Sequence, residues 1–324
     1  MLPAVQPMQP LAMLVLVLSM PTLVWAQGPL GKRELPTTLV IEDPSVADEL
    51  SLLIGHIKEP GEGGESPTLA SELTGRYAKR LTPSLALTFS GTFRHLNPDE
   101  GSTENGFGNL EFGAKYELLT SARHEAVVSL ALDVELGGTG KRDVGAASFS
   151  TISPAIVFGK GFGDLPEAVN AVKPLAITGI LGLNVPTRSK NVRTRMALDD
   201  GAGLEPEVER NPVTLSWGFS LQYHLSYLPE VTGGAGLGSP FDRLIPLVEI
   251  PLETCLNRGC GGQTTGTINP GVVWVGKSLQ LGLEAVIPMN SRSGKNVGVL
   301  GLVHFFFEEL FPESLGRPIF GHSR

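Results

Sequence analysis

The chain has 324 residues, of which 41% are hydrophobic and 18% charged, and its formal net charge is -8. This negative charge argues against nucleic-acid binding, which requires a basic face. A mean hydropathy of +0.10 is too low for a bundle of membrane-spanning helices. It suits a membrane barrel, because barrel strands alternate apolar and polar residues and therefore average to an intermediate value.

The N-terminal region has the pattern of a secretory signal peptide. Residues 1–26 contain no charged side chain, Leu11–Met20 is an apolar run, and the sequence from Val24 to Ala26 suits a cleavage site. We predict cleavage after Ala26; a short membrane anchor is the alternative. The predicted location is the outer membrane of a Gram-negative bacterium.

The rest of the chain divides into three predicted parts. Residues 27–47 are rich in Pro, Gly and charged residues, which indicates an irregular periplasmic lead-in. Residues 48–307 form the predicted outer-membrane barrel, and 308–324 a periplasmic C-terminal tail.

Twelve segments of the predicted barrel alternate between apolar and small or polar side chains, the first of them weakly. Such alternation is typical of a strand with one apolar and one polar face. In chain order the segments are Glu49–Ile57, Leu69–Arg80, Leu85–His95, Asn109–Leu119, Ala126–Leu136, Phe149–Lys160, Leu175–Val185, Val213–Tyr227, Leu244–Thr254, Thr265–Gly276, Leu279–Ile287 and Val297–Phe307. The predicted fold is all-β, a transmembrane antiparallel up-and-down β-barrel of about twelve strands.

The eighth segment, Val213–Tyr227, shows the pattern most clearly. Each odd position is apolar or aromatic and each even position is small or polar. A tilted transmembrane strand needs about 9–11 residues, so this run is long enough to span. We expect Tyr227 to lie at the inner aromatic girdle. A soluble β-sandwich is the alternative architecture.

The polar faces of three segments give the candidate lumen-lining residues. They are Glu111, Lys115, Glu117, Asp133 and Glu135, together with Ser216, Ser220, Gln222 and His224. A row of charges is prohibitively costly in a solid core unless fully paired, but cheap along a water-filled lumen. We therefore expect one acidic wall and one nearly neutral wall.

Two predicted external loops carry further signals. The loop Pro186–Arg210 has a basic block followed by an acidic block. It is a solvated loop, folds back on itself, or contacts lipopolysaccharide phosphates. In a second loop, Cys255 and Cys260 predict a short-range disulfide after export, with two free thiols as the alternative. We predict no metal site, because a metal needs more ligands than this pair offers.

Several glycine-rich motifs resemble those of one outer-membrane barrel family. They are Gly106–Tyr116, Ser153–Ala155 with Gly159–Asp164, Asn269–Gly271, and Phe305–Pro312 with Gly316–Pro318. In this order they are similar to the family named for the phenol-degradation MetA pathway, whose members are also described as transporters. The resemblance implies passage of aromatic or other hydrophobic compounds.

The predicted function is passage of small molecules, hydrophobic or aromatic ones included, across the outer membrane. The alternatives are a membrane-embedded hydrolase of lipid or surface polymer and a closed structural barrel. We find no convincing catalytic constellation, so no enzyme activity and no cofactor is predicted. The expected partners are outer-membrane lipid and lipopolysaccharide, the barrel-assembly machinery and a small-molecule solute, but no nucleic acid.

Overall fold

The computed structural model describes residues 30, 33–61, 66–196, 204–234, 236–258 and 260–321. The predicted signal peptide lies outside these residues. Fifteen strands are present in this part of the chain: β1 (Glu49–Glu59), β2 (Thr68–Thr82), β3 (Leu85–Pro98), β4 (Glu104–Phe107), β5 (Leu110–Ser121), β6 (Ala126–Leu136), β7 (Thr151–Gly161), β8 (Leu175–Pro186), β9 (Lys190–Met196), β10 (Leu204–Arg210), β11 (Thr214–Tyr223), β12 (Leu244–Cys255), β13 (Thr264–Val275), β14 (Leu279–Pro288) and β15 (Gly298–Phe306).

Twelve of these strands form a closed antiparallel barrel, which confirms the predicted fold. Each barrel strand pairs with the next one along the chain, β3 with β5 and β8 with β11 included. The weakly patterned first strand is a full member, because β1 pairs with both β2 and β15. This β1–β15 seam, with Glu49 opposite Phe306, closes the sheet and leaves no free edge.

The apolar and polar faces are arranged in the opposite sense to those of a soluble protein. Large apolar side chains on the outer face are exposed, among them Phe89, Phe112, Leu130, Ile156, Leu181, Trp217 and Leu283. Polar side chains on the inner face are buried, among them Lys115, Ser220, Gln222, Glu249, Asn269, Gln280, Glu284 and His304. An apolar belt around a polar interior is the arrangement of transmembrane barrels, not of a β-sandwich. Among the helices of the described residues, none is long and apolar enough to cross a membrane.

The two ends of the barrel differ in their connections. At the turn end, β2 and β3 are joined by residues 83–84 alone and β13 and β14 by residues 276–278. At the loop end, β3 to β5 and β8 to β11 are joined by long excursions. Outer-membrane barrels carry short turns on the periplasmic side and long loops outside, so the turn end corresponds to the periplasmic end.

The charged loop between β8 and β11 folds back on itself as a hairpin. β9 pairs with β10 so that Arg195 is opposite Glu205 and Arg193 is opposite Glu207. Of the three expectations for this loop, the structure shows this one. In the neighbouring loop the predicted disulfide joins Cys255 to Cys260.

The eighth barrel strand, β11, is shorter than predicted. It ends at Tyr223, and a 3-10 turn over Leu225–Tyr227 follows. Tyr227 is buried, so its predicted place in a lipid-facing girdle is wrong. The physical reason is that its hydroxyl donates a hydrogen bond to the inward carboxylate of Glu125.

The C-terminal tail continues directly from the seam. After β15 comes a single helical turn, α2 (Phe307–Leu310); the short helix α1 (Leu228–Thr232) precedes it among the described residues. Phe307 N–H donates to the carbonyl of Asp48, the residue before β1. The Asp48 carboxylate accepts hydrogen bonds from Lys79 and Arg80 at 2.8 Å. The tail and the start of β1 thus share one set of contacts at the turn end.

Candidate functional site in the barrel lumen

Residues 33–47, predicted as a periplasmic lead-in, lie inside the barrel. We call this segment the plug. It has no regular secondary structure, and its apolar side chains Leu35, Leu39 and Ile41 are buried. The predicted periplasmic position is therefore corrected, whereas the irregular conformation agrees. The physical reason is that lumen side chains bond the polar backbone groups of the plug, as described next.

Glu249 on β12 holds the middle of the plug. The N–H groups of Leu39 and Val40 donate to its Oε2 at 3.0 and 2.8 Å, and that of Ile41 donates to Oε1 at 2.7 Å. Hydrogen bonds to an ionised acceptor are roughly twice as strong as neutral ones. Gln280 on β14 adds a bond to the carbonyl of Thr37. One wall carboxylate thus satisfies three consecutive backbone donors.

The opposite side of the plug is held by cations of the wall. Lys115 donates to the carbonyl of Asp43 at 2.8 Å and lies 3.0 Å from the carboxylate of Glu42. Arg76 lies 3.9 Å from the same carboxylate. Burial alone would raise the pKa of Glu42, but the charges of Lys115 and Arg76 outweigh it and hold that pKa below its usual value. Ser129 also donates to the carbonyl of Pro44.

Arg33 fixes the plug at the turn end. Its Nε lies 3.0 Å from the carboxylate of Glu125, and it donates to the carbonyl of Pro174 at 3.1 Å. The guanidinium lies 4.4 Å from the ring centre of Tyr227, a cation–π distance. Burial, reinforced by Glu125, raises the pKa of the Tyr227 hydroxyl.

One wall of the lumen, formed by β2, β3, β5 and β6, pairs its carboxylates with basic or amide groups. We call it the paired wall. Arg76 Nη2 lies 3.7 Å from Glu111 and 3.4 Å from Asp133. Glu135 accepts a hydrogen bond from Asn109 at 2.6 Å. The structure places these predicted candidates, with Lys115, on one continuous inner surface.

Glu117, the remaining candidate of this wall, lies near the turn end. It accepts a hydrogen bond from Thr120 and takes no part in the Arg76 cluster. Its place follows from the strand register, which sets it opposite Ser129 rather than among the charged rows.

The facing wall, formed by β11 to β14, has no basic partner for its carboxylates among the described residues, and we call it the unpaired wall. Ser216 accepts a hydrogen bond from Asn184 at 2.8 Å, and Gln222 donates to Thr178 at 3.4 Å. Ser220 lies directly opposite Glu249 in the register. His224 lies just beyond the strand; burial lowers the pKa of its imidazole well below the usual value.

The unpaired wall is not neutral, contrary to the sequence-based expectation. Glu249 and Glu284 both face the lumen and are at most 1% exposed. The alternation that identified β11 also places both residues on the polar faces of Leu244–Thr254 and Leu279–Ile287. They were missed because the neutral face of one strand was taken to represent the whole wall.

The arrangement nearest to a nucleophile and base lies beside the seam. Ser51 Oγ and His304 Nδ1 are 2.8 Å apart, and Glu49 lies 3.6 Å from the other ring nitrogen. The second distance is too long for a hydrogen bond. Within the described ranges, no group of three His, Cys, Asp or Glu side chains could hold a metal ion.

The lumen retains free space around the plug. A cavity of about 140 Å³ lies between the plug and the wall and is lined by Arg76, Thr88 and Lys115 among others. A second cavity of about 290 Å³ lies towards the loop end, lined by Glu72, Arg94, Asn109, Glu111 and Glu135 among others. The lumen is thus polar and partly filled.

The fold is similar to those of several solved outer-membrane barrels. An outer membrane channel from Pseudomonas putida F1 matches with a TM-score of 0.52 and 13% identity, over 84% of this chain and 99% of that one. The NanC porin matches with a TM-score of 0.43 and 8% identity, over 79% and 97% of the two chains. The KdgM porin matches with a TM-score of 0.41 and 10% identity, over 79% and 98%.

These similarities concern the fold alone. No family model matches the chain, and no curated protein is significantly similar in sequence. The class of protein is therefore an outer-membrane β-barrel of twelve strands.

Proposed function

We propose that the protein is an outer-membrane channel for small solutes whose lumen is closed by the plug. The observation that carries the proposal is a charged, partly open lumen inside a barrel with an apolar outer surface. A lumen that only needed filling could be closed by the wall side chains of a smaller barrel of about eight strands, without a separate plug. The fold similarity to a channel from Pseudomonas putida F1 agrees with this reading.

The contacts of the plug suit a closure that can open. Hydrogen bonds and ion pairs hold the plug to the walls, and no disulfide joins the two in the described part of the chain. Each contact exchanges with water at modest net cost, because hydrogen bonds contribute only about 0.5–1.5 kcal/mol each to folding. Release of the segment would connect the two cavities along the lumen.

The solute class is a finer part of the proposal. The motif resemblance to the MetA-pathway family supports aromatic or hydrophobic compounds. The charged groups on the paired wall support solutes that also carry a polar or ionised group. A substituted aromatic acid or phenol meets both demands, and we propose this class. The proposed partners are lipid, lipopolysaccharide and the barrel-assembly machinery. We also propose that the signal peptide is cleaved after Ala26.

Liposome swelling with purified protein tests the channel proposal. We expect slow uptake by the full chain and at least tenfold faster uptake by a variant lacking residues 33–47. Glu117→Gln, which leaves the plug contacts unchanged, is the matched control and should behave as the full chain. Heat-dependent gel mobility verifies that each barrel is folded.

A closed structural barrel is the second candidate, and the plug itself favours it. This candidate predicts no flux of sugars, amino acids or aromatic acids through the folded deletion variant. That result would contradict the channel proposal.

A further inference from the structure

The carboxylate of Glu284 in the lumen has no compensating cation among the described residues. Glu284 is 1% exposed, and neither of its oxygens has a hydrogen-bond partner. Its side chain lies above Gly271, where any side chain would collide with it, and interacts with Glu249 and Asn269. Within the described residues, no Lys or Arg forms an ion pair with Glu249 or Glu284.

Three other buried carboxylates of the interior each have a basic partner. Glu42 has Lys115 at 3.0 Å, Asp48 has Lys79 at 2.8 Å, and Glu125 has Arg33 at 3.0 Å. An unpaired buried charge costs several kcal/mol, which explains such pairing. Glu284 has no such basic partner, and its neighbour Glu249 has three N–H donors but no cation.

Neutral oxygen atoms surround the two carboxylates. Asn269 lies opposite Glu249 on β13, and its Oδ1 has no hydrogen-bond partner. Ser220 lies opposite Glu249 on β11, and its Oγ has none either. Both side chains are almost fully buried. The cluster thus offers oxygen atoms from four adjacent strands, and no basic side chain.

We propose that Glu249, Glu284 and Asn269, with Ser220 beside them, form a binding site for a hard metal cation such as Ca²⁺. Ca²⁺ binds six to eight oxygen ligands, supplied by carboxylates, amide carbonyls and water, in flexible geometry. The site supplies such oxygens and no sulfur or imidazole ligand, which would favour zinc or copper. The bound cation would neutralise the two carboxylates, one of which also holds the plug.

Calorimetric titration of Ca²⁺ into the chelator-treated full chain in detergent tests the site. We expect one Ca²⁺ per chain and a higher thermal midpoint on binding. Glu284→Gln should weaken affinity at least tenfold, and Asn269→Ala several-fold. Glu253→Gln is the matched control, because Glu253 faces the same lumen four residues from Glu249 and should leave affinity unchanged.

Three results would overturn the proposal: no Ca²⁺ binding by the full chain, equal binding by Glu284→Gln, or equal loss in Glu253→Gln. If the full chain binds no Ca²⁺ and Glu284→Gln melts at the same temperature from pH 5 to pH 8, the two carboxyl groups instead share a proton. Equilibrium binding does not depend on solute flux, so failure here leaves the channel proposal standing, and the reverse also holds.

Discussion

The paired and unpaired walls of the lumen offset their carboxylates in different ways. On the paired wall, Arg76 lies within 4 Å of Glu42, Glu111 and Asp133. Lys115 lies within 4 Å of Glu42 alone. On the unpaired wall, Glu249 accepts hydrogen bonds from three backbone N–H groups of the plug, and Glu284 has no basic partner among the described residues. The difference shows that the paired wall carries cations that offset nearby carboxylates, whereas the carboxylates of the unpaired wall depend on what occupies the lumen.

The largest effect should follow from breaking the paired wall. We expect Lys115→Met to lower the free energy of unfolding by about 3–5 kcal/mol, because it leaves Glu42 buried without its closest cation. Urea unfolding of the protein in lipid vesicles measures this. Lys58→Met, which removes an exposed ion pair with Asp99, is the control and should cost less than about 1 kcal/mol. Equal losses in the two variants would show that the paired wall has no special role.

The second effect extends the comparison to the turn end, where Glu34 of the plug is close enough to Glu309 to be affected by its charge. Burial and then Glu309 raise the pKa of Glu34 to about 7, against the opposing charge of Arg243. The folded protein therefore holds this proton more tightly than the unfolded chain. The protonated Glu34 carboxyl makes its full contribution to the free energy of unfolding below about pH 4.5. This contribution, roughly 3 kcal/mol at most, is lost as the pH rises through 7.

Unfolding free energies at pH 5 and pH 8 check this sign. In Glu34→Gln the free energy of unfolding should fall less between pH 5 and pH 8 than it does in the wild type. A residual slope of the same sign is expected, because burial raises the pKa of Glu308 to about 7 as well. A stability that increases from pH 5 to pH 8 more in the wild type than in Glu34→Gln would contradict the assignment.

The third effect tests the dependence of the unpaired wall on the plug. We expect Glu249→Gln to lower the free energy of unfolding by about 2 kcal/mol. The carboxylate oxygen accepts a hydrogen bond from the N–H of a plug residue, and the amide nitrogen that replaces it cannot. The plug should also become sensitive to protease while the barrel remains resistant. Limited proteolysis followed by mass spectrometry measures this, with Glu253→Gln as control. A plug that stays protected in Glu249→Gln would show that the paired wall holds it alone.

The smallest effect should have the opposite sign. In metal-free buffer at neutral pH, Glu284→Gln should stabilise the protein by about 1 kcal/mol, because it removes a buried charge without a partner. Thermal unfolding in the presence of a chelator measures the change. Destabilisation in that buffer would mean that Glu284 has a favourable partner and that the two walls are not distinct.

Much of the fold could be predicted from period-two alternation, because each strand records its two faces in its own sequence. Even the weak segment Glu49–Ile57 is a barrel strand, since it pairs along its length with both neighbours. The end of β11 could not be placed, because the pattern continues to Tyr227 although the backbone turns at His224. There a single hydrogen bond to Glu125 decides the position of the tyrosine.

The site was predictable only where it depends on strand faces. The alternation identifies inward residues such as Glu111 and Asp133, but not their partners, which come from the register and from the plug. The plug itself has no periodic signal, because its shape is determined by the walls around it. Its composition, rich in proline and charge, is equally typical of an exposed linker. Long-range contacts such as Ile41 to Glu249 cannot be seen in local sequence.

The position of Asp48 has a consequence for the order of assembly. This residue joins the plug to β1, bonds to β2 through Lys79 and Arg80, and accepts the N–H of Phe307 just after β15. The contacts that secure the root of the plug are therefore also those that complete the ring. β15, which follows the other eleven barrel strands in the described chain, is required for both. Insertion of the plug and closure of the wall should thus occur as a single late step, so that a chain truncated before Phe306 would lack both.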